Sequence, residues 1–178
     1  MKHVSIFIVA MAVTATLSAA PDKEAPKTNM SSPDMAAVLF AANQGEIDQA
    51  AVAYAKLNDS GVKNFAQMMI DDHKKGLTNT TNIMAANKIV AHDAAQEAID
   101  IRNKSKQLVT NFQTAQGNLD RVYMVAQIEE HQQLLDLLDQ KMIPSSRGEV
   151  LTLMQTTRFT VQAHLDRAKA ILAGLPQQ

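Results

Sequence analysis

His73, His131 and His164 each stand where a helix would place an apolar side chain. In residues 65–77, FAQMMIDDHKKGL, stepping by four from Phe65 gives Met69, His73 and Leu77, so the imidazole lies on a core-facing stripe. His131 lies on the line Met124, Gln127, Leu134 and Leu138, and His164 on the line Met154, Val161, Leu165, Ala168 and Leu172. A fourth stripe, Met35, Val38, Ala42, Gln49 and Val52, carries Glu46 at its middle. Imidazole and carboxylate are the ligands that hold Zn, Fe, Mn or Cu inside a bundle. Glu46, His73, His131 and His164 are therefore a candidate metal-ligand set, provided that four helices bring them to one level.

The neighbours of these residues sharpen the chemistry. Asp72 and Glu130 each precede a histidine directly. Successive helical residues point about 100° apart, which suits them to orient ligands across the bundle rather than to share a metal with their own neighbour. A ferritin-type di-iron site needs Glu-x-x-His, but Ile70, Ile128 and Val161 stand three before the histidines, which disfavours a two-iron oxidase. Tyr123, four residues before Gln127, can reach His131 or its network, as a proton relay or as a buried phenol with a satisfied hydroxyl. The competing reading is that the whole cluster is a buried hydrogen-bond network, since buried polar groups need partners with or without a metal. Of the ten methionines, Met68, Met69, Met84, Met124 and Met154 have core spacing and read as gap fillers, not copper ligands. Lys74, Lys75, Lys104 and Lys106 read as solvated faces. No nucleophile elbow, phosphate-cradling loop or paired catalytic carboxylate motif occurs, so no catalytic residue and no organic cofactor is assigned.

Four long helices must position the cluster. Ser32-Pro33-Asp34 predicts a capped start for a helix over about 33–57, and the turn Asn58-Asp59-Ser60-Gly61 restarts the chain over about 61–87. Asp93 with Gln96 predicts a capping box that opens an amphipathic segment to about 115. A third long helix follows over about 119–142. Ser146 with Glu149 predicts a second capping box before a fourth, over about 147–173, and 174–178 form a tail. No strand-like alternation is present. Short, long, short connections predict an all-α, ferritin-like antiparallel four-helix bundle with a helical crossover between the second and third long helices.

The 178 residues suit one domain, and 46% hydrophobic with 20% charged side chains is ordinary for a globular protein. Only 4% are aromatic, favouring helices over sheets. A net charge of −1 advertises no basic face and argues against nucleic-acid partners. Lys2, the apolar run Val4 to Leu17 and Ser18-Ala19-Ala20 predict a signal peptide over 1–20, cleaved near Ala19 or Ala20, and hence a periplasmic or secreted protein. The run is shorter than the ~20 residues a membrane span needs. The absence of Cys excludes a lipoprotein cysteine and any disulfide framework. The polar residues 21–32 read as a flexible leader.

GEID (45–48), FAQMMIDDH (65–73), LDRVY (119–123) with His131, and AHLDRA (163–168) resemble the domain of unknown function 4142 family of the ferritin-like superfamily. The resemblance covers nearly all of 34–173. It implies an exported bacterial helical bundle, with the family's recurring residues at Glu46, Asp72, His73, Asp120, Tyr123, His131 and His164. Leu119 stands where the family usually has Phe. The resemblance supplies no function. Two classes follow: an exported metal-binding bundle, or a non-catalytic envelope protein whose cluster hydrogen-bonds through Asp72, Glu130, Asp120 or Tyr123. An enzyme is the less favoured of the roles.

Overall fold

A computed structural model describes residues 29–176, and all of them that fall in regular structure are helical. The expected signal peptide, most of the expected leader and the last two residues of the expected tail lie outside the described residues. The helices are α1 (Ser32–Tyr54), α2 (Ser60–Ala86), α3 (Gln96–Thr114), α4 (Asp120–Leu137), the single turn α5 (Ile143–Ser145) and α6 (Gly148–Gly174). A widened π turn, Leu138–Met142, continues α4, and both of its end residues are buried. The molecule is an all-α bundle. Among the described residues, no helix is long and apolar enough to cross a membrane.

α1 begins one residue earlier than its sequence signal. Ser31 is the N-cap, its hydroxyl accepting from Asp34 N, with Pro33 in the first turn. Met30, before the cap, is already buried. α2 is capped by Asp59, whose carboxylate accepts from Gly61 N and Val62 N. The two expected capping boxes do not form. Asp93 pairs with Arg102, its carboxylate 4.0 Å from Nη1, and α3 starts behind Ala95 without a side-chain cap. Ser146 donates its hydroxyl to Met142 O at 2.6 Å and Glu149 accepts from Asn87, so both partners of the second box are engaged elsewhere.

α1 packs against both α2 and α3, and α4 pairs with α6. α3 runs alongside α1 in the same direction. His92, just before it, bonds to Asp34 and to Pro33 O near the start of α1, and Lys56 beyond the end of α1 donates to the carbonyls of Gln113 and Ala115. The helices touch closely at Gly45, where a Cβ would lie 2.7 Å from Ser105 Oγ.

The interior is divided. One apolar cluster gathers Met35, Leu39, Leu138 and Met154, and the other gathers Phe65, Phe112, Tyr123 and Met124. Met69, Met84, Met124 and Met154 fill these clusters, as their spacing predicts, while Met68 is only half-buried. Between the clusters lie the buried polar side chains of the middle turns: Asn43, Glu46, Gln49, His73, Gln127, His131 and His164.

Candidate metal centre

The three stripe histidines meet at one level. A ring nitrogen of each of His73, His131 and His164 lies within 4.8 Å of one on the other two. The ring centroids are 5.5–6.0 Å apart. All three residues are buried, each from a different helix, α2, α4 and α6.

Each ring is held by its other nitrogen. His73 Nδ1 lies 3.1 Å from Asn43 Oδ1, and Asn43 Nδ2 donates to Leu39 O at 2.7 Å, so the amide oxygen faces the ring and Nδ1–H must be the donor. His131 Nδ1–H donates to Gln127 O at 2.8 Å, one helical turn back. His164 Nε2–H donates to Asp72 Oδ2 across the bundle at 3.3 Å. These three acceptors fix three tautomers, leaving a bare lone pair on His73 Nε2, His131 Nε2 and His164 Nδ1. Those are the ring nitrogens that are buried without a hydrogen-bond partner. Three neighbouring rings buried from water, each anchored through one nitrogen and bare on the other, is the arrangement that orients imidazole for a cation. Tetrahedral ligation at 2.0–2.1 Å places nitrogens about 3.3 Å apart, so the rings would draw inward by about 1 Å.

The electrostatics keep the rings neutral. Burial holds His131 down at about 4. Burial, then the neighbouring His131 and His164, holds His73 well below its usual value. Burial and His131 also lower His164, against the pull of Asp72. Burial works to raise Asp72 itself, but its bonds to Lys75 and His164 more than offset that and leave it lowered.

Glu46 stands behind His131 rather than among the free nitrogens. Its Oε1 is 3.8 Å from His131 Nδ1, the nitrogen committed to Gln127 O, and its Oε2 accepts from Gln127 Nε2 at 2.7 Å. The Glu130 carboxyl makes no hydrogen bond to a described histidine; it accepts from Gln49 Nε2 at 3.1 Å. Burial pushes Glu46 up to about 7 and, with the Glu46 charge added, Glu130 up to about 8. Tyr123 is wedged between the rings of Phe65 and Phe112, its hydroxyl without a partner, and burial with both glutamates raises it well above its usual value. Asp120 is distant from the centre. It accepts from Asn58 N at 2.9 Å and Asp59 N at 3.0 Å, pinning the α1–α2 turn.

Two cavities flank the triad, and His73 lines both. One, of about 290 Å³, reaches Glu46, Gln49, Glu130 and His131 between α1, α3 and α4. The other, of about 300 Å³, reaches Asn43, Asp72, His164 and the threonines of α6. Sequence reasoning missed Asn43 as the anchor of His73. The signal was present: Asn43, Glu46 and Gln49 repeat every three residues on α1, one helical face.

No curated protein and no solved structure matches the chain. A family model described as Domain of unknown function (DUF4142) matches residues 17–171. That span holds the three histidines, their anchors and both glutamates, and the chain belongs to the DUF4142 family.

Proposed function

We propose that this is an exported, ferritin-like bundle protein that holds one divalent transition-metal ion, Zn, Fe, Mn or Cu, on His73, His131 and His164. The observation that carries the reading is that three buried rings meet, a nitrogen of each within 4.8 Å of one on the other two, and that each ring has one anchored and one unpartnered nitrogen. Leaving a buried polar atom unsatisfied costs about 1–3 kcal/mol, and an ion would satisfy three at once. Asp72, held low, supplies negative charge beside it, Glu46 and Glu130 would add more on losing their protons, and Glu46 would enter as a fourth ligand only by leaving Gln127. Export is supported by Lys2 and the apolar run that ends in small residues at 18–20. The periplasmic or secreted form should then begin at Ala20 or Pro21 on N-terminal sequencing, and full-length protein in the membrane fraction would overturn that part.

Metal analysis of the mature protein from its native compartment, with melting curves in added Zn²⁺, Fe²⁺, Mn²⁺ or Cu²⁺, tests the metal reading. Free metal at 100 times its Kd should add about 2.7 kcal/mol of stability, and His73→Ala should abolish the shift. A structural network in an envelope interaction protein is the alternative, and the amide–carboxyl pairs Gln127–Glu46 and Gln49–Glu130 favour it. On that reading His73→Ala lowers the basal melting temperature and added metal changes nothing.

A further inference from the structure

The unpartnered polar atoms of the interior extend past the triad. On the far side of His131, Gln49 Oε1, Gln127 Oε1 and Glu130 Oε2 are buried without a hydrogen-bond partner. They belong to two pairs that cross between α1 and α4, Gln127 Nε2 on Glu46 Oε2 and Gln49 Nε2 on Glu130 Oε1. Each amide nitrogen is committed to a carboxylate, so each amide oxygen is the acceptor left over. Gln49 is 1% exposed and lines the 290 Å³ cavity together with Glu46 and Glu130.

Two carboxyl groups face this space, and among the described residues no lysine or arginine pairs with either. Lys104, the cation lining the same cavity, is near enough to favour the ionised form of both, but it donates to Gln133 Oε1 at 3.0 Å rather than to either carboxyl. His131 Nδ1, 3.8 Å from Glu46 Oε1, is already bonded to Gln127 O. A buried carboxyl without a close counter-charge keeps its proton, and a cation brought into the space would ionise the pair. Carboxylate and amide oxygens, without nitrogen or sulfur, are the donor set of hard cations, distinct from the imidazoles next door.

We propose that Glu46, Gln49 and Glu130, with Gln127 holding Glu46 in place, form a second cation site, for a hard divalent ion such as Ca²⁺, Mg²⁺ or Mn²⁺, beside the histidine triad. An ion that displaces their protons would meet two carboxylates that match its charge, and the oxygens of Glu46, Gln49 and Glu130 leave positions for retained water. A water occupies about 30 Å³, so a 290 Å³ cavity holds a partly hydrated ion. The site does not depend on the triad being filled.

Mn²⁺ is the probe. The protein, first given one equivalent of Zn²⁺, is titrated with Mn²⁺ while free aquo-Mn²⁺ is followed by electron paramagnetic resonance. The expected result is one Mn²⁺ taken up per chain, displaced by excess Ca²⁺. Uptake should weaken at least tenfold in the isosteric variants Glu46→Gln and Glu130→Gln, and persist in His164→Ala without zinc. Absence of uptake by the wild type, or uptake indifferent to both glutamine variants, overturns the proposal and leaves the cavity to water. Uptake that His164→Ala removes but Glu130→Gln does not places Mn²⁺ on the imidazoles, and also overturns it. The triad is judged separately, by the zinc-dependent rise in melting temperature and its loss in His73→Ala.

Discussion

A Cβ placed on Gly76 would lie 2.5 Å from Asn43 Oδ1, the oxygen that holds His73 Nδ1. Asn43 has little freedom to retreat, because its Nδ2 is bonded to Leu39 O. In an exposed helix interior Gly→Ala gains about 0.8–1.0 kcal/mol. Here the added methyl should displace the amide and release His73. Gly76→Ala is expected to melt no higher than the wild type and to bind zinc about 10–100-fold more weakly. Zinc titration alongside melting curves checks this. A more stable variant with unchanged zinc affinity would show that Asn43 does not position the ring.

Asp72 offers a complementary test. It is a third exposed and shares its carboxylate between Lys75 and His164, so its contribution to the fold should be small, about 1 kcal/mol or less. Without it the His164 proton can move to Nδ1, turning the lone pair away from the triad. Asp72→Ala should therefore lower metal affinity by about tenfold or more while barely shifting the metal-free melting temperature. Asp72→Asn, which keeps an acceptor oxygen, should recover part of the affinity.

Metal retention should resist mild acid. An exposed imidazole begins to compete for its proton near 6.5, but burial holds His131 at about 4 and lowers His73 and His164 as well. Ligands that stay neutral do not release an ion to protons. Zinc affinity measured by competition with a chelator of known protonation should stay nearly flat from pH 7 to about 5. A fall that begins at 6.5 would mean that the ligands are solvated.

The metal-free protein should lose stability on the alkaline side. Glu46 and Glu130 titrate above their usual 4.5, so the stability of their neutral forms is complete below 4.5 and is lost as pH rises through about 7 and 8. The histidines titrate below 6.5, so their contribution is complete above 6.5 and is lost as pH falls toward 4. The two effects oppose each other between 4.5 and 6.5, and only the carboxyl groups change above that. Glu130→Gln should match the wild type near pH 5.5 and exceed it near pH 8.5, by on the order of 1–2 kcal/mol. Urea unfolding at the two pH values in the presence of chelator measures it; equal stability at pH 8.5 would show that Glu130 is solvated.

The helices and the histidine level were legible because both follow from a repeat of 3.6 residues. His73, His131 and His164 interrupt apolar stripes at their middles, and middles of long antiparallel helices meet. Caps were less legible, since they depend on what else competes for the capping atoms: Ser146 finds Met142 O closer than any amide of α6. The side of His131 on which Glu46 lies was not legible at all. It is set by Gln127, which takes the carboxylate with its side chain and the ring with its backbone. Asp120 shows the same limit, since its role depends on the α1–α2 turn reaching back to it.

The divided interior bears on how the chain opens. Among the described residues Ile128 packs against both apolar clusters, and the polar layer otherwise lies between them. Cooperativity between the halves must then pass through hydrogen bonds and any bound ion rather than through interlocked hydrocarbon. In native-state amide exchange the metal-free protein should show two subglobal units, one at the Leu39–Leu138–Met154 end and one at the Phe65–Phe112–Tyr123 end, with different opening free energies. An ion at the waist, liganded from α2, α4 and α6, would rivet the two into one, converting a protein that breathes in halves into one that opens only as a whole.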